Sequence, residues 1–430
     1  MIVLALDVGS AAVKAALFRN GRPLAPIARR AFATTFSGSR AEVSSSALLQ
    51  ALAGAMADLP TTAGHPDYIS LANMSPSWLA MDKSGQALTP IITHQDRRSI
   101  QIAREMESAI GKRRLLRISG NRPFPGGISS TTFAWFLRHE PALMKKADLV
   151  GHVNTLLHRL ITGRRVTDPS NASFMGLYRT LKLSDWSDEL IGLIGASRRL
   201  LPQVIESNQI AGYVTKSAAA PFGLKAGTPM LAGCMDGSAA MLSSGAAVGQ
   251  LMDVSGSTDV LALCTDRPKP HERLLTRALG IGRRWMVVST LAAAGSALAW
   301  AKDRLFADLT IGQYWKLVNR LARRPRQSSV RFEPYLAGDR MSIEQRQAAF
   351  TGLTLSTTRE DLLSAMIGSL ASASAERLPL LQHGGTRILR RVMVSGGMDS
   401  GLDRVLRRDW PGRWQFRHQP EATLRGLAMM

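Results

Sequence analysis

Residues 1–18 of this chain read Met1-Ile-Val-Leu-Ala-Leu-Asp7-Val-Gly9-Ser10-Ala-Ala-Val-Lys14-Ala-Ala-Leu-Phe18, and few folds accommodate such a stretch. An apolar run, Ile2 to Leu6, ends in Asp7. A turn of small residues, Gly9-Ser10-Ala11-Ala12, follows, and a second apolar run starts at Val13 and carries Lys14. The pattern is strand, tight turn, strand. With no bulky side chain in the way, the backbone N–H groups of such a turn can approach an anion. Asp7 at the strand's end is placed to hold a hydrated Mg²⁺, which prefers oxygen ligands and keeps several waters beside substrate phosphates. A plain hairpin has the same short signature, so this stretch alone leaves both readings open.

The same grammar recurs in the second half. Met230-Leu-Ala-Gly-Cys-Met-Asp236 is an apolar strand ending in a carboxylate, and Gly237 to Leu242 opens a helix of small residues. Leu251 to Cys264 is again strand, turn and strand, around Gly256-Ser257-Thr258. Two such hairpins suggest two related domains gripping one nucleotide. The length of 430 residues agrees, being too great for one compact core. The stretch Gly223-Leu-Lys-Ala-Gly-Thr-Pro229 is the strongest linker signal. The expected domains are therefore 1–232 and 233–430.

Composition narrows the class. Two cysteines, Cys234 and Cys264, lack metal or redox spacing and fit a reducing compartment. The N-terminus reads as a strand rather than a leader peptide, and no run reaches the length of a membrane span. A cytoplasmic protein is expected. Lys and Arg total 54 against 32 acids, a net charge of +22. The arginines fall in scattered pairs, such as Arg29-Arg30, Arg97-Arg98 and Arg407-Arg408, without a basic tail. This favours a solvated basic surface over a nucleic-acid face, and such a surface also steers anions.

Between the hairpins, Tyr68–Asn73 and Trp78–Asp82 read as strands, with the polar loop Asn73-Met74-Ser75-Pro76-Ser77 between them. Strand ends are where α/β proteins place ligands. Asp96 and Arg98 offer an acceptor and a donor suited to a hydroxyl-rich ligand, or equally a surface ion pair. Asn20-Gly21 marks a hairpin turn. Ser44–Leu59, Ser99–Ile110, Thr131–His139, Ala293 onward and Thr358 to about Gln382 read as helices. Val392 to Ser400 is strand, Gly-Gly turn, helix.

Taken together, these stretches resemble the FGGY family of carbohydrate kinases, and the resemblance covers nearly the whole chain in order. Asp7, Gly9, Ser10 and Lys14 look like the family's first phosphate loop. His94-Gln-Asp96-Arg-Arg98 is similar to its Trp-x-Asp-x-Arg. Ser119-Gly-Asn121, His139-Glu-Pro141 and Thr167-Asp-Pro-Ser-Asn-Ala-Ser173 match in position. Gly233-Cys-Met-Asp236 resembles the Gly-x-x-Asp that carries the catalytic base, and Gly256-Ser257-Thr258 the second phosphate loop. Pro334–Arg340 and Gly352–Leu355 follow the C-terminal signature. Gly396-Gly397-Met398 with Ser400 resembles the adenosine motif, and Glu421–Gly426 the closing helix.

The resemblance implies an α/β fold of two ribonuclease H-like (actin-like ATPase) domains with a central cleft, each built on a mixed five-stranded sheet. It implies transfer of the ATP γ-phosphate to a hydroxyl of a sugar or polyol, with Asp236 as general base. Asp7 would hold Mg²⁺ through water. Gly9, Ser10, Lys14, Gly256, Ser257 and Thr258 would bind phosphate; Gly295, Gly396, Gly397, Met398 and Ser400 would hold the adenosine end. Asn73, Met74, Ser75, Asp96 and Arg98 are the candidate sugar contacts. A homodimer is a family habit.

Four positions depart from the pattern: Ala11 where a hydroxyl is usual, His94 for Trp, Thr132 for Lys and Gly368 for an acid. At the sugar loop, Asn73-Met74-Ser75-Pro76 replaces the Gln-Met-His-Gly of xylulokinases, which argues against D-xylulose. The competing expectations are a catalytically weak sugar or nucleotide sensor of the same fold, and a nucleic-acid binder.

Overall fold

In the computed structural model, residues 1–60, 64–396 and 401–430 are described. The chain divides into two compact units. The first comprises Met1–Ala247, Asp266–Met286 and Glu421–Met430; the second comprises Val248–Thr265 and Val287–Pro420. The boundary expected at 232/233 thus falls inside the first unit, which keeps Asp236 and its helix. The reason is packing: helix Asp236–Leu242 lies against the C-terminal helix Ala422–Leu427, and both cover the first sheet through Ala239, Leu424 and Leu427.

The first unit is centred on a mixed sheet. Strand Ile2–Val8 pairs antiparallel with Ala12–Arg19 and parallel with Tyr68–Asn73. Alternation sorts its side chains, as the period of two requires. Leu4, Leu6 and Val8 enter a core with Leu48 and Leu52 of helix Ser45–Ala57. Val3 and Ala5 face the helices at 236–242 and 422–427. Asp7 shares parity with Val3 and Ala5, so it stands on that second face.

The expected linker at 223–229 is no boundary. It runs directly into strand Pro229–Leu231, whose Met230 pairs with Ile69 in the first sheet. The strand expected over Met230–Asp236 is split into Pro229–Leu231 and Cys234–Met235. Met230 pairs with Ile69 but Cys234 with Ala72, so one extra residue is accommodated between them. Gly233 permits this: its φ is 72°, and a Cβ there would lie 2.1 Å from the Leu71 carbonyl oxygen.

In the second unit, strand Leu251–Ser255 pairs antiparallel with Asp259–Thr265 and parallel with Arg391–Ser395. The plan repeats that of the first unit: a hairpin whose leading strand is flanked by a later parallel strand. Helix Arg359–Leu381 begins at the expected place, with a capping box between Thr358 and Asp361. Such a cap stabilises a helix start by about 1 kcal/mol. No helix among the described residues is long and apolar enough to cross a membrane.

Candidate functional site

Three adjacent parallel strands of the first unit end at one level. Val8 is paired with Asn73, and Asn73 with Met235. The residues around these ends, Asp7, Asn73 to Ser75, and Asp236, are therefore neighbours although far apart in the chain. Ligand sites form at such carboxyl ends.

Asp7 is 8% exposed, and its Oδ1 has no hydrogen-bond partner among the described residues. Burial pushes its carboxyl up to about 7; the Asp236 carboxylate adds to this, Lys14 opposes it and Glu421 adds again. Lys14 stands opposite Asp7 in the hairpin, yet its amine donates to Glu421 Oε2 at 2.6 Å. The turn is closed by Gly9 N–H donating to the Ala12 carbonyl at 3.0 Å. Ser10 and Ala11 at its tip are exposed. No group of three or more His, Cys, Asp or Glu side chains among the described residues could form a protein metal cage. One unsatisfied carboxylate in a turn suits a cation that keeps most of its own waters.

Asp236 opens its helix with a half-buried carboxylate, and among the described residues its Oδ1 accepts only the Gly237 N–H, at 2.6 Å. Burial raises its pKa, against the pull of the Arg277 guanidinium and of that N–H. Burial thus raises both carboxylates at this sheet end, and the charge of Asp236 adds to the rise at Asp7.

Beneath the strand ends lies a buried polar network that sequence reasoning did not assemble. Asn73 and Asn171 exchange amide hydrogen bonds at 3.1 Å in both directions. Asn171 Nδ2 donates to Asp168 Oδ2 at 2.6 Å, and Asn154 Nδ2 to the same oxygen at 3.0 Å. Asp168 caps helix Pro169–Met175 and also receives the Ser170 hydroxyl. Ser170 Oγ in turn accepts the Met235 N–H at 2.9 Å, one residue before Asp236. His152 completes the network, with Nδ1 3.1 Å from both Ser75 Oγ and Asn171 Oδ1 and Nε2 2.8 Å from Ser129 Oγ. Burial pushes its pKa down to about 4, so the ring is neutral near pH 7. The network ties the loop after Asn73 to the strand that delivers Asp236.

Of the loop residues singled out in the sequence, Asn73 and Met74 are buried. Asn73 spends its amide on Met74 O and Asn171, and Met74 packs into the core. Ser75 alone keeps partial exposure. Asp96 is fully buried: its Oδ2 accepts the Ala41 N–H at 2.9 Å and its Oδ1 the Arg98 N–H at 3.0 Å. The Arg98 guanidinium donates to Asp96 and to Glu42, and its Cζ lies 5.2 Å from the centre of the Trp135 ring. Much of the polar capacity of Asp96 and Arg98 is thus spent within the protein.

In the second unit, Gly256, Ser257 and Gly295 meet. Gly256 N–H donates to Thr258 O at 2.8 Å, Gly295 N–H to Gly256 O at 3.0 Å and Ala294 N–H to Ser257 O at 2.9 Å. A Cβ on Gly295 would lie 2.6 Å from the Gly256 carbonyl oxygen, so only glycine permits this approach. A cavity of about 500 Å³ opens beside them, lined also by Ser296, Trp300, Asp303 and Trp315. Gly396 packs on the Ser255 carbonyl. Gly397, Met398 and Ser400 lie outside the described residues.

Comparison with known proteins matches these features to one family. Residues 2–243 match the model of the FGGY family of carbohydrate kinases, N-terminal domain, and residues 251–400 that of its C-terminal domain. The chain is 26% identical over 384 residues to the gluconokinase of Bacillus subtilis, covering 85% of this chain and 74% of that protein. It is 25% identical over 429 residues to the L-fuculokinase of Escherichia coli K12, covering 93% and 85%. The crystal structure of xylulose kinase from Rhodospirillum rubrum superposes with a TM-score of 0.87 at 24% identity, covering all of this chain and 89% of that one. With both of the family's domains present in order, on a fold shared with a sugar kinase structure, this chain belongs to the FGGY family of carbohydrate kinases.

Proposed function

We propose that the protein transfers the γ-phosphoryl group of ATP to a hydroxyl of a sugar or polyol, with Asp236 as general base. The observation that carries this reading is the register of Val8, Asn73 and Met235, which sets two unpaired carboxylates at one sheet end. A sugar hydroxyl is a weak nucleophile. Asp236 accepts its proton as the oxygen attacks phosphorus and the bond to ADP breaks. The raised pKa of Asp236 makes it a stronger base than an exposed carboxylate.

Asp7 would hold Mg²⁺ through water, and its orphaned Oδ1 fits that role. When bound, the cation would neutralise charge on the transferring phosphate. The Gly9 and Gly256 N–H groups close their own turns, so Ser10 at the tip of the first turn and Ser257 and Thr258 in the second would supply the backbone donors to phosphate oxygens, and the cavity beside Gly295 suits the nucleoside. Ser75, held by His152 and the one of these loop residues that keeps partial exposure, would touch the acceptor. Relatives named for gluconate, fuculose, xylulose and glycerol support a polyhydroxylated acceptor without fixing its length.

The test is ADP release over a panel of ketoses, aldoses, polyols and sugar acids, for wild type and Asp236→Asn. One acceptor should stimulate turnover, and Asp236→Asn should lower it about 10³-fold. Stimulated turnover that survives the substitution would remove Asp236 from the role. ATP binding with no acceptor-stimulated turnover would favour a sensor, a reading motivated by Ala11 at the loop tip.

A further inference from the structure

Residues 275–278 belong to the second half of the sequence but form a strand of the first unit. Side chains clamp its backbone on both sides of Arg277. Asn121 Nδ2 donates to Thr276 O and Asn121 Oδ1 accepts the Thr276 N–H, both at 2.8 Å. Ser173 Oγ accepts the Ala278 N–H at 3.0 Å. The guanidinium between these clamps is 5% exposed as a residue and has no carboxylate within ion-pair distance among the described residues.

What surrounds it is poor in acceptors. Nη1 lies 3.1 Å from Met235 Sδ, Nη2 3.5 Å from Met286 Sδ, and Cζ 5.7 Å from the centre of the Phe174 ring. Nε has no hydrogen-bond partner among the described residues. Thioethers are weak acceptors, and a guanidinium has five donors and keeps its charge. A buried charge left in this state is costly unless a partner arrives. Nη2 also lies where a side chain on Gly237 would sit, at 2.6 Å from that position, so the cation is beside the residue that follows Asp236.

Resting on the kinase reading above, we propose that Arg277 is an oxyanion-binding residue of the acceptor site. It receives either a carboxylate of the acceptor, as in an aldonic acid, or the oxygens of the phosphoryl group in transfer. Both are planar or near-planar sets of oxygens that a guanidinium grips with two parallel hydrogen bonds. Asp236 is the carboxylate that acts most strongly on Arg277, yet the two form no ion pair, which leaves the base free and the cation open.

The experiment compares wild type with Arg277→Met and Arg277→Lys. Calorimetric binding without nucleotide is measured for D-gluconate against D-glucitol, followed by steady-state ADP release with each. If the oxyanion is the acceptor's carboxylate, wild type binds gluconate at least about tenfold tighter than glucitol, and Arg277→Met erases the difference. If it is the phosphoryl group, Arg277→Met leaves acceptor binding unchanged and lowers kcat about 100-fold, with partial recovery in Arg277→Lys. Binding and kcat both within about threefold of wild type would overturn the proposal. Absence of turnover with every acceptor would defeat the kinase reading and the phosphoryl case with it, while the binding arm still decides the carboxylate case. Thermal unfolding accompanies each variant. Arg277→Met is expected to melt no lower than wild type, because it removes an unpaired buried charge.

Discussion

The two hairpins share a strand plan and differ in what their buried carboxylates face. In the second unit, Asp253 accepts from Arg407 Nη2 at 2.8 Å and from the Ser255 hydroxyl at 2.6 Å, and Asp259 is paired with Arg377. In the first, Asp7 makes no ion pair among the described residues, and the lysine opposite it is engaged by Glu421; an oxygen without a hydrogen bond is not the difference, since Asp259 Oδ1 has none either. A carboxylate closed by arginine is part of the framework. One without a counter-charge at a strand end is available to a cation. Sheet topology alone does not distinguish the two.

The contrast can be broken by parallel substitution. Asp253→Asn should destabilise by about 3 kcal/mol, because Arg407 loses its buried counter-charge. Asp7→Asn should abolish turnover and yet raise the stability of the metal-free protein at about pH 8. Urea unfolding in chelator measures both; equal losses would end the distinction.

A pH series sharpens it. Asp7 keeps its proton to about 7 when folded, against an ordinary value of 3.8. Between those values the unfolded chain ionises first, so this group's contribution is present at low pH and lost as pH rises. Metal-free wild type should therefore lose stability from about pH 4 to about pH 7 by a margin absent in Asp7→Asn. Mg²⁺ should raise the Tm of wild type at about pH 8, little at about pH 5, and not at all in Asp7→Asn.

A smaller effect is expected at Gly295. Its Ala variant forces a methyl against the Gly256 carbonyl and should cost about 1–3 kcal/mol. The KM for ATP should rise about tenfold while that for the acceptor stays near wild type; a rise in both would tie this turn to the acceptor. The smallest effect belongs to Glu421→Gln. Its pair with Lys14 is about one-third exposed on each side, so the change in unfolding free energy should stay below about 1 kcal/mol. A larger loss would show that the first hairpin also depends on a closed ion pair.

Much of the fold is legible in the residues. The alternation of Ile2–Val8, the turn at Asn20-Gly21 and the Thr358 capping box are local signals, carried by backbone preferences over a few positions. Asp7 and Asp236 were legible for the same reason, each ending an apolar strand. The Gly/Pro density at 223–229 misled, because a turn within a domain and a linker between domains need the same backbone angles.

By itself, then, the sequence determined the two hairpins, the helix starts and the carboxylates at the strand ends, since short-range sterics and periodicity decide those. Tertiary structure alone decided the rest. It joined Asn73 to Asn171 across 98 residues and Ser170 to Met235 across 65. It also brought the strand around Arg277 to Asn121 across 155. Contacts of that span depend on how sheets and helices stack, and a buried polar side chain has no local signature of the partner it will meet.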